Sequence, residues 1–137
     1  MLNQVLMMIA AGIVAALGTA HLLLTYYGPK LLPRDRALVE SMRETQLVIT
    51  RQTTLWRAWI GFNASHSVGA MCFGSLYGYL ALAHPSLLFA SRPLLTIGLL
   101  TLIAYGLMAI RYWFITPQIG IGLALGCYVA SLVVGGA

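Results

Sequence analysis

Charge is what this sequence has least of. Only 8% of its 137 residues are charged, and three are acidic, Asp35, Glu40 and Glu44. All three fall within ten residues of one another, so the apolar remainder holds no carboxylate for acid–base work. It also lacks a His-x-x-x-His metal pair and a Gly-x-Ser-x-Gly nucleophile elbow. Hydrolase chemistry is therefore disfavoured. No Lys or Arg precedes Lys30, so "MLNQVLMMIAAGIVAALGTAHLLLTYY" lacks the basic start of a cleavable signal and is expected to stay as a spanning helix. The two cysteines, Cys72 and Cys127, sit in apolar runs and are expected to be buried, unpaired small hydrophobes.

What is abundant is apolar surface. Hydrophobic residues make up 60% of the chain, the composition of a protein whose solvent is largely lipid. Four uncharged runs are each long enough to cross a hydrocarbon core of about 30 Å. They predict an all-α integral membrane protein, an up-down bundle of four transmembrane helices forming a single domain over 1–137. The helices are expected at about 3–26, 54–83, 93–115 and 117–136. Asn3, Thr54, Ser91 and Thr116 are the expected caps, with Pro93 and Pro117 in the first turns.

Between the first two helices, about 30–53, lies the only sizeable polar segment. Here Asp35 can cap a short amphipathic helix in which Leu38, Val39 and Met42 form an apolar edge, and this edge is expected to lie on the membrane surface. Lys30, Arg34, Arg36, Arg43, Arg51 and Arg57 crowd this side, and Arg111 joins them, whereas Arg92 lies opposite. The positive-inside rule then puts segment 30–53 in the cytoplasm and both termini outside. Net charge +5 reflects this asymmetry. Nucleic acid is not an expected partner, because the bases are mixed with acids and no reading surface is evident.

Small residues recur at intervals of four. Gly61, Ser65 and Gly69 form one ridge on the second long helix, and Ala70, Gly74 and Gly78 form another. Gly122, Gly126 and Ala130 repeat the pattern on the last helix, and Gly12, Ala16 and Ala20 on the first. Such ridges let helices approach closely in lipid. The first expectation is that these ridges close the bundle internally; the alternative is that, with ridges on three helices, at least one faces a second copy or a partner membrane subunit.

Polar residues interrupt the apolar runs at one depth. At about 1.5 Å per residue, His21, Asn63, His66 and Arg111 all fall in the cytoplasmic half of the bilayer. His21 shares a face with Thr25, and Asn63 with His66 and Ser67. Polar groups at such depth face the bundle interior or a wet cavity. Three functions fit. The leading one is a non-catalytic accessory or scaffold subunit of a membrane assembly, with no cofactor and the cluster as interhelical glue. The alternative is a pocket for a lipid or quinone-like amphipathic ligand. The third is a b-type haem held by His21 and His66.

The stretch "RQTTLWRAWIGFNASHSVG", with "GTAHLLLTYYGPKLLPRD" before it and a Met-Arg pair between, resembles a family of small bacterial inner-membrane proteins with four helices. The likeness runs mainly over residues 18 to 80, and the last two helices match only as hydrophobic spans. It implies a multi-pass protein of the bacterial inner membrane and supplies no activity and no site residue.

Overall fold

The computed structural model describes residues 1–136. Its elements are α1 (Leu2–Tyr26), α2 (Arg36–Glu44), β1 (Gln46–Leu47), β2 (Thr50–Thr54), α3 (Leu55–Ala83), α4 (Pro85–Ala90), α5 (Arg92–Tyr112) and α6 (Ile115–Gly135). Two compact units share them. One comprises Met1–Leu17 with the chain from Ala70 on, and the other comprises Gly18–Gly69.

Three of the helices, α1, α5 and α6, are long and apolar enough to cross a membrane. Four were expected, and α3 is the exception. Its 29 residues supply the length, but Arg57, Asn63, Ser65, His66 and Ser67 crowd its first half and dilute its hydropathy.

In the first unit, glycines set the helix spacing. A Cβ on Gly74 of α3 would lie 2.5 Å from the Ala11 carbonyl oxygen and 2.8 Å from the Ala15 backbone nitrogen of α1, so these two backbones touch. On its other flank α1 meets α6, where Gly120 receives Leu17 and Gly135 receives Asn3. Between α5 and α6, Gly98 faces Tyr128 while Gly106 faces Ile121, positions that step in opposite directions as an antiparallel hairpin requires. Gln118 closes that hairpin by donating from Nε2 to the Trp113 carbonyl just past the end of α5 and to the Ala109 carbonyl, which also accepts from the Trp113 N–H. Around the interior stand Met7, Ala10, Val14, Leu88, Leu102, Ala124 and Tyr128, all fully buried.

The caps are a mixed outcome. Asp35 accepts from the Ala37 N–H at 2.9 Å, and Thr54 from the Arg57 N–H at 3.4 Å. Ser91 occupies its cap position without a side-chain bond. Thr116 does not cap α6, because Phe114 takes the cap position and helical geometry starts at Ile115, which leaves Thr116 and Pro117 inside the first turn. Asn3 likewise lies within α1. Cys72 is exposed, against the expectation of burial, and Cys127 is half-buried at the edge of the core; both thiols are free.

The second unit holds a hairpin that the all-α expectation missed. β1 and β2 pair antiparallel, Leu47 opposite Thr50 and Gln46 opposite Thr54, across a register shift. Thr45, Val48, Ile49, Thr50, Thr53 and Thr54 make this stretch rich in β-branched residues, which pack well on a pleated surface and poorly in a helix. The Leu55 N–H donates to the Thr45 carbonyl at 2.8 Å, so α3 begins flush with the end of the hairpin. α2 packs on β2, and its Val39 and Met42 are buried. The edge expected to rest on the membrane is thus largely covered by protein, with Leu38 alone still exposed. Arg43 caps the arrangement, its guanidinium 5.5 Å over the Trp56 ring and 3.3 Å from Glu40. Before α2, Gly28 turns the chain with φ +94°, a conformation that a Cβ disfavours.

Candidate functional site

Five of the six expected ligand-binding residues meet in the second unit. α1 presents His21 and Thr25 one turn apart, and α3 presents Asn63, His66 and Ser67. His21 Nε2 and Asn63 Oδ1 are 3.0 Å apart. An amide oxygen can only accept, so the imidazole proton sits on Nε2 in this contact. The other end of the amide donates to the Trp59 carbonyl at 2.8 Å. Asn63 is 3% exposed and uses both ends of its amide.

The hydroxyls close on their own helices. Ser67 donates to the Asn63 carbonyl at 2.9 Å and Thr25 to the His21 carbonyl at 2.8 Å, the back-bonding to the preceding turn that lets a hydroxyl sit in an apolar setting. His66 stands edge to face with His21, ring centroids 5.7 Å apart at 76°. Both rings are half-buried. Arg111 belongs to the other unit and is exposed in the last turn of α5, where a cation suits the carbonyl end of the helix.

Haem iron would need a nitrogen from each imidazole, and His21 Nε2 is held by Asn63. The donor set fits hydrogen bonding better than ligation. No group of three His, Cys, Asp or Glu able to hold a metal ion occurs among the described residues.

The expected ridges separate into two kinds. Ala70, Gly74 and Gly78 face α1, with Gly78 3.6 Å from Ala11 at its would-be Cβ. Gly61, Ser65 and Gly69 are exposed, as are Gly122, Gly126, Gly12, Ala16 and Ala20, with Ala130 half-buried. A Cβ on Gly12, Gly61, Gly122 or Gly126 would meet nothing within 4 Å.

Two features escaped sequence reasoning. Tyr128 is fully buried and donates to the Leu95 carbonyl at 2.9 Å, and Tyr77 donates to the Leu94 carbonyl at 2.6 Å. Gly98 is the seat of both rings: a Cβ there would lie 2.8 Å from Tyr77 and would overlap the Tyr128 hydroxyl. The only available signal was two tyrosines on otherwise apolar faces. The second feature is a cleft of about 410 Å³ lined by Arg34, Arg36 and Glu40 among apolar walls from Pro29 to Val39.

No protein-family model, no curated protein and no solved structure matches this chain.

Proposed function

We propose that this chain is a small polytopic membrane protein serving as a non-catalytic accessory or scaffold subunit, with α3 as a fourth span beside α1, α5 and α6. The observation that carries the reading is the closure of the polar cluster. Asn63 uses both ends of its amide, and Ser67 and Thr25 bond to their own helices. The His21–Asn63 bond ties α1 to α3, and the intrahelical bonds leave these side chains little in reserve for a substrate. Satisfied in this way, the polar half of α3 is compatible with lipid, where unpaired polar groups are costly.

The outer surface supports the same reading. Leu82, Ile97, Leu100, Leu107, Ile110 and Val133 are all more than half exposed, a surface that water disfavours and lipid accepts. Among them lie the open glycines Gly122 and Gly126, suited to a second copy or a partner helix. The charge asymmetry supports an orientation with segment 30–53 in the cytoplasm and both termini outside. The resemblance to small bacterial proteins makes the inner membrane the proposed location.

Native mass spectrometry from detergent tests the proposal. We expect masses of several copies, or of this chain with a partner, and no retained small molecule. A monomer carrying one lipid or quinone equivalent that His66→Ala removes would overturn it. That result would install the second reading, an amphipathic ligand at His21 and His66, which the half-buried state of both rings favours.

A further inference from the structure

Val48 and Ile49 form the tip of the β1–β2 hairpin, and both are essentially fully exposed, Ile49 at 89%. Two-residue hairpin turns ordinarily take Asn, Asp or Gly, which tolerate positive φ. Among the described residues none other than glycine has positive φ, and the two turn positions are β-branched and apolar. Turn chemistry does not account for them. Neither does packing, since the apolar residues Val39 and Met42 of the same unit are buried while the tip projects.

We propose that the Val48–Ile49 tip is an interfacial anchor that seats in the headgroup layer of an anionic lipid surface. Charge complementarity selects this occupant. Lys30, Arg34, Arg36, Arg51 and Arg57 of this unit are exposed and outnumber its three acids, of which Glu40 is paired with Arg43 and Asp35 caps α2, leaving Glu44 beside them. Apolar side chains flanked by cations are the pattern that anionic membrane surfaces bind. The tether is short. β2 spans five residues, so at about 3.3 Å per residue the tip stays within roughly 17 Å of the start of α3, where Trp56 and Trp59 mark the bilayer interface. The inference rests on the membrane reading above, and its test keeps the two apart.

The full chain carrying Val48→Cys, with Cys72→Ser and Cys127→Ser, is labelled with an environment-sensitive fluorophore. It is then reconstituted into phosphatidylcholine vesicles with or without phosphatidylglycerol. Blue-shifted emission, quenched by a lipid-borne quencher, is expected with phosphatidylglycerol. Water-like emission is expected in phosphatidylcholine alone and from a Gln52→Cys control. Arg51→Gln should lower the inserted-to-free ratio about fivefold, the worth of one cation at such a surface. Water-like emission at position 48 in phosphatidylglycerol, from protein that floats with the vesicles, overturns the proposal alone. Protein that fails to float overturns the membrane reading too. Shielding that tracks protein density rather than lipid charge assigns the tip to a protein partner and also overturns it. With the native cysteines retained, trypsin reads the same tip: protection at Arg51 in phosphatidylglycerol supports the anchor, and equal cleavage in both lipids overturns it.

Discussion

His21 on α1 donates from Nε2 to Asn63 Oδ1 on α3 at 3.0 Å, and through this bond two helices distant in sequence share one buried amide. Asn63→Ala should lower unfolding stability in detergent by about 1 kcal/mol, the usual worth of an interhelical hydrogen bond in membranes. A double-mutant cycle with His21→Ala should give a coupling energy of the same order. Strict additivity of the two losses would deny the bond.

Gly98→Ala should be among the most damaging single-methyl additions, because the new Cβ would overlap the buried Tyr128 hydroxyl. Overpacking of this kind costs about 1–3 kcal/mol. Gly74→Ala should behave similarly, since its neighbours are backbone atoms of α1. Thermal unfolding of the two variants beside Gly61→Ala, whose Cβ meets open space, provides the comparison. Equal midpoints for all three would contradict the packing described.

Tyr128→Phe removes a hydroxyl whose acceptor, the Leu95 carbonyl, lies in the first turn of α5. A carbonyl has a second lone pair and a helical partner available, so the loss should be about 1 kcal/mol. Tyr128→Ala, which also opens a cavity, should lose about 3 kcal/mol or more. Chemical denaturation of the two variants separates the bond from the ring.

Gly126→Leu should leave the fold intact and reduce association. The position faces open space within the chain, so a larger side chain clashes only with whatever lies outside it. Native mass spectrometry together with thermal unfolding should show fewer copies or lost partners at an unchanged midpoint. A lowered midpoint with unchanged assembly would place the ridge inside the fold.

Much of the polar cluster was legible in the chain. Spacings of three and four put Thr25 with His21, and Asn63 with His66 and Ser67, because a helix fixes which residues share a face. The same reasoning grouped Arg111 with them by depth. It could not see that Arg111 belongs to the other unit, since depth says nothing about which segments pack together.

What the sequence by itself determined is the set of long helices, the scarcity of charge outside residues 30–57 apart from Arg92 and Arg111, and the caps at Asp35 and Thr54. These follow from local rules of length, hydropathy and hydrogen bonding. Only the tertiary structure decided which glycine ridges close. Gly74 is pressed against Ala11 while Gly122 and Gly126 look outward, and identical four-residue spacings cannot distinguish them. It decided, too, that Val39 and Met42 of α2 are covered by protein and that Val48 and Ile49 project from a hairpin. The physical reason is common to all three. A periodic pattern defines the faces of a helix or strand, but the neighbour that each face meets is selected by packing between segments far apart in the chain.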